Sequence, residues 1–186
     1  MAEEFDRRVA RITEDDDLTS AGRIATVRDA MKGSYALWIS IPSTGGSPWQ
    51  AVNRTRGTYE KLIAGHWSLF RALWKTASDF ATEEINERRP VYVEWPRACQ
   101  HWSDQRVKRF INKFSGVSMN LDGCQYGAVS GAKGSLDVPI MKHWRVVGFN
   151  CVPTAGTQPR CPRVHKRAWA QGATQRKPTT TPSNLA

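Results

Sequence analysis

The chain has 186 residues, 40% of them hydrophobic, with eight Trp and six Phe, which is enough for one packed core. Twenty-seven Lys and Arg against seventeen Asp and Glu leave a net charge of +10, a balance that suits polyanions such as nucleic acid or an anionic membrane face, and equally plain solubility. No stretch approaches the roughly eighteen apolar residues of a membrane span, and the acidic start Met-Ala-Glu-Glu-Phe-Asp is not a secretory signal, so four cysteines predict a reducing intracellular compartment, cytoplasm or nucleus, and not a disulfide scaffold.

Residues 8 to 13, Arg-Val-Ala-Arg-Ile-Thr, alternate polar and apolar and predict a short strand that ends in the acids Glu14 to Asp17. Asp17 can accept hydrogen bonds from a ribose or an adenine amine there, although an acidic turn is more often simply solvated. Ser20 is a good N-cap, and Ile24, Val27 and Met31 at helical spacing predict a helix stopped by Gly33. The apolar run Tyr35 to Ile41 predicts a second strand, parallel to the first across this β-α-β connection. It ends in Pro42 and the loop Ser43-Thr-Gly-Gly-Ser-Pro-Trp-Gln50. In an open α/β sheet, ligands bind in the crevice beyond the carboxyl ends of the strands.

One apolar stripe, Tyr59, Leu62, Ile63, Trp67, Phe70, Trp74, Ala77, Phe80, Ala81 and Ile85, predicts a single helix from about Thr58 to Glu87. Its aromatic residues read as core rather than as a base-stacking platform, and His66 on the same stripe reads as a packed histidine. Arg88-Arg89-Pro90 ends that helix, and Val91 to Trp95 predicts another parallel strand, stopped by Pro96. Asp104 caps a helix that turns Val107, Phe110, Ile111 and Phe114 inward and stops at Gly116. Val117 to Leu121 and Trp144 to Phe149 predict two strands separated by a Gly-rich excursion without a helix, hence antiparallel neighbours at one edge of the sheet.

Ser43 and Glu94 follow or end neighbouring parallel strands, which lie about 5 Å apart, so both side chains can reach one small ligand. Ile41-Pro42-Ser43-Thr44-Gly45-Gly46-Ser47 and Val93-Glu94-Trp95-Pro96 resemble the loop and the glutamate strand of DNA cytosine-5 methyltransferases. Asp122-Gly-Cys-Gln-Tyr-Gly127, then Lys142-His-Trp144 and a strand ending in Asn150, are similar to the closing part of the phage-type branch of that family. The likeness runs in order over roughly residues 9 to 150.

The resemblance implies a Rossmann-like methyltransferase sheet, mostly parallel, with an antiparallel edge hairpin. It also implies S-adenosylmethionine as methyl donor, a cysteine that attacks C6 of a flipped cytosine, and a glutamate that holds the base at N3. Carried over, Glu94 is the base-holding acid, Ser43 stands at the nucleophile's position, and Asp17, Pro42 and Asn150 are the residues toward the cofactor. Two departures bear on activity. A serine hydroxyl is essentially un-ionised at neutral pH, whereas a thiol is partly thiolate, and no histidine is placed by sequence to serve Ser43. The family's opening strand and Gly-rich cofactor turn have no counterpart in this chain, so tight cofactor binding is not expected. Cys124, in the loop of the final motif, has no catalytic role in the resemblance.

Domain organisation follows as residues 1–150, the α/β domain, and 151–186, a basic Pro/Thr/Gly-rich tail read as extended or disordered. The tail has Arg160, Arg163, Lys166, Arg167, Arg176 and Lys177 and no acid, a local charge of +6. With Arg97, Lys108, Arg109 and Lys142 these residues form the expected phosphate-contacting set, DNA being favoured over RNA. Cys151, Cys161 and His165, with Cys99 or His101, offer soft ligands for zinc, though without a Cys-x-x-Cys pair such cysteines are usually idle thiols. Three functional readings stand at this point: a nucleic-acid-binding protein on a methyltransferase-like scaffold with catalysis lost, a working methyltransferase, and a non-catalytic subunit of a nucleoprotein assembly. The oligomeric state is left open.

Overall fold

The computed structural model describes residues 10, 12, 17–48, 50, 59–151 and 161–169 except 163 and 167. The first predicted strand, residues 8 to 13, lies outside the described residues apart from Ala10 and Ile12, which are not in a strand. Helix α1 (Ala21–Met31) opens where the Ser20 hydroxyl accepts from the Arg23 amide at 3.3 Å. It buries Val27 and Met31 against Phe80, and its approach is pinned by the Thr76 hydroxyl, which donates to the Leu18 carbonyl at 3.0 Å.

Helix α2 (Tyr59–Asn86) is the predicted long helix, and its stripe is core: Ile63, Phe70, Trp74, Ala77, Phe80 and Ala81 are buried, while Leu62 falls outside the stripe and is exposed. One acid is buried with them. Glu84 is 2% exposed and is held by a two-pronged Arg89 at 2.5 and 2.7 Å and by the Ser34 hydroxyl. Helix α3 (Gln105–Lys113) starts as expected, with the Asp104 carboxylate accepting from the Arg106 amide at 2.8 Å. At its end Ser115, not Gly116, takes the left-handed conformation (φ 52°), and the missing side chain of Gly116 leaves room for Val147 and Phe149.

Four strands form the main sheet in the order β1, β2, β5, β3, with β1 Leu37–Ile39, β2 Val91–Pro96, β3 Val117–Asp122 and β5 His143–Phe149. A separate short pair joins β4 (Ile140–Met141) to β6 (Ala168–Trp169). In β2 the alternation is strict: Val91, Val93 and Trp95 turn toward α2 and α3, and Tyr92, Glu94 and Pro96 toward the other face. The inner side chains join Phe70, Trp74, Trp102, Phe110 and Phe149 in one cluster, each fully buried large side chain contributing roughly 2 to 3 kcal/mol.

The fold is α/β, but the expectation of a mostly parallel sheet is corrected. In the main sheet, among the described residues, only β1 and β2 pair in parallel; β5 runs antiparallel to both β2 and β3. The cause is the connection: the excursion 123–142 carries no crossover helix, so the chain returns in the opposite sense. The expected antiparallel pair does sit at one edge of the sheet: β3 is the edge strand and β5 lies beside it, next to β2, with Val146 to Phe149 buried.

Candidate functional site

Because β5 alone is reversed, β1, β2 and β3 all point the same way and their carboxyl ends open on one rim. Four pieces of chain meet there: the loop after β1, the end of β2, the turn after β3 and the start of β5. The register puts Ile39 beside Val93, so Ser40 lies beside Glu94, and the Ser40 hydroxyl donates to the Glu94 carboxylate at 2.8 Å. The hydroxyl that reaches Glu94 is thus Ser40's, three residues before Ser43. Parallel register could have indicated it from sequence, since equivalent positions of neighbouring strands face the same side.

Glu94 is half-buried on the sheet face turned away from α2 and α3. Burial pushes its carboxyl above the usual range, against the opposing pull of Ser40 and of Lys142. Beside it the Trp95 indole donates to the Ile41 carbonyl at 2.8 Å, which ties the start of the Ser43 loop to β2.

The loop itself folds over the rim onto the helices. Thr44–Gly46 form a 3-10 turn, with the Gln50 amide donating to the Thr44 carbonyl at 2.8 Å. The turn needs glycine for closeness. A side chain at Gly45 would meet His66, and one at Gly46 would come within 2.6 to 2.9 Å of the His101 ring and the Cys99 sulfur. His101 is fully buried and stacked on Phe70 at 3.7 Å, and neither ring nitrogen has a hydrogen-bond partner among the described residues. Burial therefore lowers its pKa to about 4, only partly offset by Asp104. Burial also pushes the Cys99 thiol up to about 11, so the sulfur at this rim stays protonated. His101 carries no sequence signal of this position, since it sits in the 3-10 turn Gln100–Ser103, outside any period.

Of the expected phosphate contacts, Lys142 acts electrostatically on Glu94, and Arg97, which follows β2, acts on Asp122. The Arg97 amide donates to the His143 carbonyl at 2.9 Å, and the Lys142 ammonium lies 4.8 Å from the Trp144 ring centre. Lys108 and Arg109 are exposed on α3 and Lys166 is exposed, whereas Arg160, Arg163 and Arg167 lie outside the described residues.

The residues expected toward a cofactor are not brought together. Asn150 follows the reversed strand β5, so it stands at the opposite rim, where its amide donates to the Ile85 and Arg89 carbonyls at 2.8 and 3.3 Å. Asp17 has turned inward on its own loop, accepting from the Thr19 amide and hydroxyl at 2.9 and 2.5 Å. Exposed Pro42 remains at the rim.

The zinc set is also regrouped. Cys151 follows β5 at the far rim, and Cys99 and His101 belong to the loop contact, but Cys161 and His165 meet Cys124. Comparison with family models, with curated proteins and with solved structures finds no match to this chain. No helix among the described residues is long and apolar enough to cross a membrane.

Proposed function

We propose that the chain is a nucleic-acid-binding protein on a DNA cytosine-5 methyltransferase-like scaffold whose catalysis is impaired. The observation that carries the reading is the common rim of the Ser43 loop and Glu94, with the Lys142 charge acting on Glu94 and Arg97 just after β2. Cytosine N3 is a hydrogen-bond acceptor, so a glutamate that holds it must carry a proton, and desolvation of the Glu94 carboxyl favours that form against the pull of the Ser40 hydroxyl. Base binding therefore strengthens as pH falls through the raised pKa of Glu94. Phosphates are taken by Arg97, Lys142, Lys108, Arg109 and the basic tail, with DNA the preferred partner.

Of the two imidazoles packed beside the Ser43 loop, His101 has its pKa lowered to about 4 by burial and is too weak a base to take a hydroxyl proton. Cys99, protonated up to about pH 11, does not replace the missing thiolate. Anisotropy with fluorescent duplex DNA and with RNA tests the reading. Affinity is expected at about 50 mM salt and a loss of tenfold or more by about 200 mM, with Lys142→Glu weaker throughout. No affinity at either salt contradicts it.

A second reading, an active S-adenosylmethionine-dependent methyltransferase, is favoured by the Ser43 loop and Glu94 both lying toward the carboxyl ends of the parallel pair β1 and β2. Labelled-methyl transfer to DNA by the native chain and by Ser43→Cys separates the two. Transfer by Ser43→Cys alone fits a scaffold that lost its nucleophile, transfer by the native chain establishes the enzyme, and no transfer from either removes the second reading.

A further inference from the structure

The turn Gly123–Tyr126, which follows β3, and the segment that carries Cys161 and His165 bring three soft donors together. The ligand atoms of Cys124, Cys161 and His165 all lie within 4.8 Å of one another, and the Cys161 sulfur is 3.5 Å from the His165 Nε2. With Zn–S near 2.3 Å and Zn–N near 2.0 to 2.1 Å, a tetrahedral ion separates sulfur from nitrogen by about 3.5 Å and two sulfurs by about 3.8 Å. The observed spacing needs little closing to reach that geometry. Two thiols and an imidazole select zinc-like ions and disfavour magnesium or calcium. None of the four cysteines is in a disulfide, so the pair Cys124 and Cys161 is not already spent in one.

The surroundings are those of a built site. Cys161 is only 9% exposed, and its segment is tied on by the two-residue β6 and by the Ala168 amide, which donates to the Pro139 carbonyl at 2.8 Å. What seats it is Asp122 at the end of β3. One carboxylate oxygen accepts from the Cys161 amide at 2.9 Å, and the other faces the His143 Nδ1 at 2.5 Å. A carboxylate that fixes a ligand residue from behind is the usual second layer of a metal centre. Metal ligation would cross-link this segment to the turn after β3.

We infer that Cys124, Cys161 and His165 bind one zinc-class divalent ion, with water in the fourth position, and that this ion fastens the 161–169 segment to the rim end of β3. Binding releases the two thiol protons and leaves the imidazole neutral, with no change in oxidation state.

The test uses the untagged full chain, reduced, stripped of metal and titrated with Co(II). One equivalent is expected to give a thiolate-to-cobalt charge-transfer band and the intense visible bands of a tetrahedral ion, both removed by one equivalent of zinc. Cys124→Ser and Cys161→Ser should weaken binding by on the order of a hundredfold, Asp122→Asn by about tenfold, and Cys151→Ser not at all. Should a variant fail to fold, alkylation mapping of the native chain gives the same answer. Zinc is expected to protect Cys124 and Cys161 from N-ethylmaleimide and to leave Cys151 unaffected. Absence of the cobalt spectrum, its loss in Cys151→Ser, protection that ignores Cys124 and Cys161, or a Cys124–Cys161 disulfide in the chain isolated from a reducing cytosol overturns the inference.

Discussion

His101 shows how one side chain ties the candidate site to the stability of the core. Its ring fills space between Phe70, Trp67 and Trp95 and presses on Gly46, yet neither nitrogen has a hydrogen-bond partner among the described residues. Protonation inside that aromatic box is costly, so the folded pKa falls to about 4 from an ordinary 6.5. Between those values the unfolded chain holds the extra proton, so stability is complete above pH 6.5 and drains away as pH falls toward 4. The loss amounts to on the order of 3 kcal/mol. Denaturant unfolding at a series of pH values is expected to show that acid limb in the native chain and a flatter one in His101→Phe. An identical limb in both would remove His101 as its cause.

At the scale of elements, the direction of β5 decides which residues share a rim. Asn150 makes the point: residues at the end of β5 serve the base of α2 rather than a ligand, with φ 49° and two carbonyls of the helix terminus on one amide. Asn150→Ala removes those bonds and leaves alanine in a left-handed conformation. A destabilisation of about 1 to 3 kcal/mol is expected, with nucleic-acid affinity unchanged at temperatures where the variant is folded. A fall in affinity without a fall in melting temperature would return Asn150 to the site.

Most elements were legible because their signals are local. The α2 stripe runs for seven turns, Pro42 and Pro96 bracket strands, and Ser20 and Asp104 are caps. The place of β5 between β2 and β3 was not, since a strand's alternation tells which face is buried and nothing of which neighbour it pairs with. Nor was the meeting of Cys161 with Asp122, 39 residues apart, which depends on loop closure and not on spacing.

For the whole molecule, three strands of common direction gather the Ser43 loop, Glu94, Arg97, Lys142 and the Cys124 turn along one edge of the sheet, in a chain whose net charge is +10. In the proposed function that charge draws the nucleic acid near and the edge holds a base. The sharing of that edge by Ser43 and Glu94 was readable from two apolar runs that end in proline loops. The inward fold of the glycine turn onto His66 and His101 was not, because it rests on contacts across the core. Photo-crosslinking tests the proposal most directly. DNA containing 5-iodocytosine, bound to the full chain and irradiated, is expected to attach to peptides within residues 41–50 and 91–99, and to attach less in Glu94→Ala. Attachment confined to residues 160–186, with Glu94→Ala unchanged, would contradict a base held at this rim.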